Sequence, residues 1–168
     1  ALSLTHENYN LYIRKEFIMN IGDRIPEILG IDQDGKEIKA SDYKGKKLVL
    51  YTYPKDNTSG CTAEACSLRD HKEELAAKGY EILGVSKDSA ASHKKFIEKQ
   101  ELNFPLIADT DTTLLQALGA WGEKVACGRR TIGTLRTTYL VNEEGVIEHI
   151  FLPKQIKTKE HAEQILAL

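Results

Sequence analysis

Tyr53-Pro54-Lys55-Asp56-Asn57-Thr58-Ser59-Gly60-Cys61-Thr62-Ala63-Glu64-Ala65-Cys66 is the stretch on which the reading of this chain turns. The run leading into it, Lys47-Leu48-Val49-Leu50-Tyr51-Thr52-Tyr53, is apolar, rich in β-branched and aromatic residues and closed by Pro54, the pattern of a buried strand. From Cys61 onward, Ala63, Glu64, Ala65, Leu68, Glu73, Glu74, Leu75, Ala76 and Ala77 favour a helix that runs until Gly79. A strand therefore delivers a loop, and a helix carries two thiols away from it. A cysteine in the first turn of a helix faces unpaired backbone N–H groups and the positive end of the helix dipole, conditions that favour thiolate over thiol. Gly60 leaves the backbone bare beside the sulfur, Thr58 offers a hydroxyl three residues upstream, and Pro54 can bend the strand end over the site. A free cysteine is often only a small buried hydrophobe. Its position makes Cys61 a candidate nucleophile instead.

Working outward, Asp32-Gln33-Asp34-Gly35 separates Ile28-Leu29-Gly30-Ile31 from Lys36-Glu37-Ile38 and predicts a hairpin through Asp-Gly. The same acidic loop lacks the later ligands and the terminal Glu of a calcium loop. Ser41 to Gly45 reads as a turn or a single helical turn. Tyr80–Ser86 is a second buried strand, Ser89 to Glu101 a helix, Phe104–Asp109 a short edge-like strand, and Thr112 to Leu118 a helix ended by Gly119. Thr137–Val141 and Val146–Phe151 flank Asn142-Glu-Glu-Gly145 as a hairpin, and Lys159 to Leu168 is a closing helix. Strands alternating with helices predict an α/β sheet. Residues 1–18 precede the only methionine, Met19, and are read as an extension from an upstream start or added in cloning. Residues 19–168 are read as a single domain. Tyr9, Tyr12, Ile13 and Phe17 fall at helical spacing, which predicts a short amphipathic helix from about Thr5 to Ile18.

With 168 residues the chain can bury one sizeable core. A net charge of −2 provides no whole-chain attraction to nucleic acid or to an anionic membrane, and no apolar run reaches the roughly 18 residues of a membrane span. Neither partner is expected, and a cytoplasmic location is. Three cysteines in a chain of this length are not a disulfide scaffold, so their value lies in chemistry. Cys61, Cys66 and His71 point to different sides of one helix and cannot converge on a metal, so no metal or other cofactor is expected. Cys127, in Val125-Ala-Cys-Gly-Arg, reads as a structural or incidental thiol.

Pro54-x-x-x-Thr58-x-x-Cys61 resembles the active-site motif of peroxiredoxins, and Cys61-Thr-Ala-Glu-Ala-Cys66-Ser-Leu-Arg-Asp resembles the bacterioferritin comigratory protein, or PrxQ, subgroup. Similarity continues from about Ile21 to the C-terminus through Gly84-Val-Ser-Lys-Asp-Ser, Trp121-Gly-Glu-Lys and Leu135-Arg-Thr-Thr-Tyr-Leu-Val. Ser59 departs from the proline usual in the subgroup, which loosens the loop but removes no reacting group. The resemblance implies a thioredoxin-like fold, a central mixed sheet flanked by helices, with an N-terminal β-hairpin added. It also implies a thiol-dependent peroxidase acting on hydrogen peroxide and organic hydroperoxides and recycled by thioredoxin or a similar dithiol, as a monomer or weak homodimer. A non-catalytic thiol redox sensor or chaperone on the same fold is the alternative.

The resemblance also suggests roles for individual residues. Cys61 would be peroxidatic and Cys66 resolving. Arg136 would stand beside the thiolate and the peroxide, and Glu64 would orient that arginine. Thr58 would hydrogen-bond the peroxide, with Gly60 and Pro54 shaping the site. A cation is needed on physical grounds. Lowering a thiol pKa from about 8.5 by about two units takes roughly 2.7 kcal/mol, and a helix terminus supplies about 0.3–1 kcal/mol when exposed and up to about 2 when partly buried. Arg129 and Arg130 are weaker candidates beside a Gly-rich loop. Five residues along a helix separate Cα atoms by roughly 8.6 Å, beyond the about 7 Å that a disulfide tolerates. A bond between Cys61 and Cys66 therefore requires local unwinding.

Overall fold

Alternation along one strand, β3 (Lys47–Thr52), divides the molecule into two layers. Leu48 and Leu50 enter one buried cluster, Val49 and Tyr51 the other, as side chains one residue apart on a strand must. The structure, a computed structural model, describes residues 18–168. But for Ile18, the helix expected from Thr5 to Ile18 lies outside the described residues.

Five strands form the central sheet in the order β5 (Leu106–Ala108), β4 (Tyr80–Ser86), β3, β8 (Thr137–Val141) and β9 (Ile147–Phe151). The pairs β3–β4 and β4–β5 are parallel, whereas β3–β8 and β8–β9 are antiparallel, so the sheet is mixed. One face carries Val49, Tyr51, Ile82, Leu106 and Leu140. It is covered by α1 (Ser59–Asp70), α2 (Lys72–Ala77), α3 (Ala90–Gln100) and α5 (His161–Leu166), through residues such as Ala65, Leu68, Leu75, Phe96 and Ile165. The other face, with Leu48, Leu50, Leu83 and Val85, is covered by Leu114, Leu115 and Leu118 of α4 (Thr113–Leu118). Leu29 and Ile38 of the N-terminal hairpin, β1 (Ile28–Ile31) and β2 (Glu37–Lys39), join that second layer. Its turn forms as expected: Asp32 Oδ1 accepts from the N–H groups of Asp34 and Lys36 at 2.8 and 3.0 Å, and Gly35 adopts φ +77°. The architecture is thioredoxin-like with this hairpin added in front.

Two local features differ from expectation. The helix expected to run from Cys61 to Gly79 begins two residues earlier, at Ser59, and is broken at His71 (φ −107°, ψ 17°), whose ring Nδ1 lies 2.9 Å from the Ser67 carbonyl. The His71 N–H donates to the same carbonyl at 3.2 Å, so the Ser67 oxygen serves both groups at the break. The second difference is an additional ribbon, β6 (Trp121–Ala126) paired antiparallel with β7 (Arg129–Thr134). Arg129 and Arg130 are thus strand residues rather than loop residues. The two-residue turn of this ribbon is Cys127-Gly128, with φ +53° and +75°. Both central residues are left-handed, the geometry of the primed hairpin turns. Cys stands where Asn or Asp usually signals such a turn, so the composition does not announce it.

Candidate active site

The first turn of α1 faces the carboxyl ends of the parallel strands β3 and β4, where open α/β sheets gather their chemistry. Thr52, the last residue of β3, is paired with Thr137, the first of β8, and this register sets Arg136 beside the loop that leaves β3. Thr52 also holds that junction through its side chain. Its Oγ1 donates to the Leu135 carbonyl at 2.7 Å and accepts from the Thr137 N–H at 3.1 Å. The arginine is therefore presented by backbone clamped on both sides.

Cys61 is the third residue of α1 and is buried. Arg136 Nη2 donates to its Sγ at 3.3 Å, and Nη1 donates to Glu64 Oε1 at 2.7 Å. One planar fork thus spans the sulfur and a carboxylate that sits one turn along the same helix. Burial weakens the charge on Arg136, but the neighbouring Glu64 and Cys61 outweigh it and hold the guanidinium above its usual range. Glu64 is fully buried, and this burial lifts its carboxyl to about 7 against the opposing pull of Arg136. Gly60 earns its place by space. A Cβ there would lie 3.3 Å from Arg136 Nη2, so any side chain presses on the fork.

Thr58 is at the N-cap position but does not cap through its side chain; its Oγ1 donates to the Lys55 carbonyl at 2.9 Å. That leaves the oxygen lone pairs free at the edge of the site. Pro54 is half-buried directly after the strand. Cys66 is on the same continuous helix, partly buried, with its Sγ 3.7 Å from Gln100 Oε1 of α3. The structure thus brings Cys61, Gly60, Glu64 and Arg136 together, leaves Thr58 at the helix cap with Pro54 in the loop before it, and turns Cys66 elsewhere. Cys127 is exposed at the ribbon tip.

Sequence reasoning missed what anchors the loop. Asp56 is buried and accepts from the Tyr53 hydroxyl at 2.6 Å and the Ser92 hydroxyl at 2.8 Å, its Oδ2 lies 2.7 Å from His93 Nδ1, and its N–H donates to Asp88 Oδ2 at 2.9 Å. Burial pushes the Asp56 carboxyl up, but the bonds from His93, Tyr53 and Ser92 prevail and hold it below its usual range. The other His93 nitrogen meets the Ile107 carbonyl at 2.8 Å. Asp56, Asp88 and His93 are a triad of metal-ligand types, but their atoms are committed to one another and to the sheet, and we read the cluster as a pin for residues 54–58. Lys124 of β6 also went unnoticed. Its ammonium lies against Gly133, and burial together with the charge of Arg136 lowers its pKa while Cys61 opposes the shift. His161 and Thr138, behind Glu64, are the third omission. Their spacing in sequence carries no signal, because the sheet alone brings them together.

The chain matches the model of the AhpC/TSA family over residues 21–150. It is 38% identical over 148 residues to Peroxiredoxin Bcp of Escherichia coli (strain K12), covering 88% of this chain and 94% of that protein. To Peroxiredoxin Bcp of Bacillus subtilis (strain 168) it is 40% identical over 148 residues, 88% of this chain and 93% of the relative. Among solved structures, a cysteine-to-serine mutant of PrxQ from Xylella fastidiosa superposes with a TM-score of 0.79 at 35% identity, over 89% of this chain and 94% of the other. The bacterioferritin comigratory protein of Xanthomonas campestris, described for its alkyl peroxide reduction activity, gives a TM-score of 0.76 at 33% identity, over 86% and 96%.

Proposed function

Because the chain belongs to the AhpC/TSA family and is a peroxiredoxin, a thiol-dependent peroxidase, we propose that Cys61 is its peroxidatic residue and that it reduces hydrogen peroxide and organic hydroperoxides. The observation that carries this assignment is the Arg136 fork, with one arm on the buried Cys61 sulfur and the other on Glu64. A cation with paired donors stabilises a thiolate, and the same donors can meet charge as it develops on a peroxide oxygen.

In the proposed step the Cys61 thiolate attacks the terminal oxygen of the hydroperoxide. A sulfur–oxygen bond forms as the oxygen–oxygen bond breaks. The sulfur, now a sulfenic acid, is oxidised by two electrons, and the departing alkoxide or hydroxide takes up one proton. Arg136 and the Thr58 hydroxyl orient the peroxide, while Gly60 and Pro54 shape the approach to the buried sulfur. Cys66 then attacks the sulfenic sulfur as a thiolate, releasing hydroxide that becomes water and leaving a Cys61–Cys66 disulfide. A dithiol carrier of the thioredoxin kind returns both residues to thiols by exchange. A reducing cytoplasm is the setting we propose, with residues 19–168 as the catalytic domain. Among the described residues no helix is long and apolar enough to cross a membrane.

Rapid-mixing oxidation by hydrogen peroxide and by an alkyl hydroperoxide, followed by recycling with thioredoxin, tests the assignment. Cys61→Ser abolishes turnover, Cys66→Ser stops after one oxidation in the absence of added thiol, and Cys127→Ser retains most turnover. Equal losses in Cys61→Ser and Cys127→Ser would overturn the roles.

A further inference from the structure

Arg136 occupies Glu64 Oε1, but the second carboxylate oxygen, Oε2, is buried without any donor among the described residues. The nearest polar neighbour identified for it is His161 Nε2 at 4.0 Å, and both side chains are fully shielded from solvent. The protons around this pair can be counted. Gln164 donates through Nε2 to the Gln155 carbonyl at 2.8 Å, so its Oε1 is the atom that accepts from the Lys157 N–H at 3.0 Å and meets His161 Nδ1 at 3.0 Å. Nδ1 must therefore carry a proton, and Nε2 of the neutral ring is a lone pair. Thr138 Oγ1, 2.7 Å from that lone pair, has a single proton to donate. With Glu64 ionised and His161 neutral, the Nε2 acceptor has a donor within hydrogen-bond distance and Oε2 has none, and a buried charged oxygen left without a partner is strongly unfavourable. One added proton between Oε2 and Nε2, with a closure of about 1 Å to hydrogen-bond distance, satisfies both.

We propose that Glu64 and His161 jointly hold one proton in the reduced protein, which makes His161 a positioning residue for the peroxidase reaction: Glu64 then aims Arg136 through Oε1 without neutralising it, and the guanidinium charge is left to the Cys61 sulfur. The proposal rests on Cys61 being the reacting thiol. Burial, the larger influence, raises Glu64 to about 7 and lowers His161, and the charge of Arg136 lowers His161 further while Gln164 opposes that shift. The two groups titrate as a unit, with the proton weighted toward the carboxyl.

Among the described residues, the other groups facing the pair are few. Helix α1 contributes Cys61, β3 contributes the Tyr51 hydroxyl, and Arg136 precedes β8, which contributes Thr138. The Tyr51 hydroxyl is itself buried without a partner, and burial together with Glu64 and Cys61 keeps it protonated. From β9 the Phe151 ring meets His161 edge-on at 5.3 Å, with His149 beyond it. Lys157, Lys159, Glu160 and Glu163, on or next to α5, are exposed.

The test follows Cys61 alkylation against pH in a Cys66→Ser, Cys127→Ser background, which needs no peroxide turnover. Glu64→Gln keeps an acceptor for Arg136 and places an N–H toward His161, a permanent mimic of the protonated pair. Its alkylation midpoint does not rise: below about pH 7, where the unaltered pair holds its proton, the two profiles coincide, and above it the variant keeps more thiolate. His161→Gln takes up no proton and offers an amide N–H to Oε2, which holds Glu64 ionised, so its midpoint rises. Residues with a purely structural role would loosen Arg136 and move both midpoints upward; shifts of the same sign overturn the proposal. A second measurement uses the unaltered reduced protein. In a nitrogen-15 titration the ring nitrogen signals of His161 move in one step as Glu64, raised to about 7, titrates, and the step disappears in Glu64→Gln. A flat trace from about pH 5 to 9 overturns the proposal whatever the variants do. Turnover surviving in Cys61→Ser would instead overturn the assignment of the reacting thiol, a separate outcome.

Discussion

Bonding of Cys61 to Cys66 cannot occur on the helix as it stands, because α1 is continuous from Ser59 to Asp70 and the two sulfurs lie against different partners, Arg136 and Gln100. Helical geometry holds the Cα atoms roughly 8.6 Å apart, and a disulfide needs them within about 7 Å. Peroxide treatment should therefore unwind the helix from Ser59 to about Cys66. Backbone hydrogen bonds in this segment, at about 0.5–1.5 kcal/mol each, nearly offset the about 1–2 kcal/mol per residue of ordering entropy. What holds the turn closed is side-chain burial and the Glu64–Arg136 link. Exposing Cys61 and Ala65 costs about 2 kcal/mol, and releasing a hydrogen bond donated by a charged guanidinium costs about 1.5–3 kcal/mol before re-solvation. A total of about 4 kcal/mol corresponds to roughly 10³-fold protection of the amides in the reduced state. Hydrogen exchange read by mass spectrometry should show that protection collapsing across residues 62–66 after oxidation, and surviving in Cys66→Ser, which stops at the sulfenic acid. Unchanged protection alongside a mass-confirmed Cys61–Cys66 bond would refute the reasoning, since the segment could not then have been helical.

Arg136→Ala removes both arms of the fork and should slow oxidation of Cys61 by about 10- to 100-fold at neutral pH, the worth of one charge-assisted hydrogen bond. An alkylation profile identical to that of the unaltered protein would transfer the role to another cation, Lys124 first. Gly60→Ala should separate stability from activity. Helix propensity favours alanine by up to about 1 kcal/mol, yet the added Cβ 3.3 Å from Nη2 displaces the guanidinium, so oxidation slows several-fold while thermal stability holds or rises. Unaltered oxidation kinetics would mean the fork has room to shift. The raised Glu64 carboxyl also makes stability pH-dependent. The folded state binds this proton more tightly than the unfolded chain, so stability is lost as pH rises from about 4.5 toward about 7. The loss is of order 3 kcal/mol and constant above that window. Asp56, held below its usual range, acts in the opposite sense, with its contribution present above the ordinary carboxylate pKa and lost as pH falls through its folded value. The melting-temperature difference between Glu64→Gln and the unaltered protein should grow across pH 4.5–7 in favour of the variant; a constant difference would place the titration elsewhere.

Legibility followed locality. The buried strand, the helix beginning near Cys61, the Asp-Gly hairpin and the Asn142–Gly145 hairpin were all readable because their signals lie within a few residues: periodicity, a stop at Pro54, a turn dipeptide. The β6–β7 ribbon was not, because Cys127-Gly128 takes a left-handed turn without a residue that advertises it. The break at His71 was hidden for a similar reason, since the surrounding composition favours helix throughout.

The sequence by itself determined the α/β architecture, the helix that carries Cys61 and Cys66, and the distance that keeps them apart, because each follows from spacing along a regular element. Arg136 and Glu64 could be named from resemblance, but only the tertiary structure decided that one guanidinium reaches both the Cys61 sulfur and Glu64, through the Thr52–Thr137 register that no local pattern encodes. The Asp56–His93 anchor and the Glu64–His161 pair lay wholly in that second category. A proton shared between residues 97 positions apart depends on desolvation by packed neighbours, and burial of that kind is a property of the assembled layers rather than of either residue's surroundings in the chain.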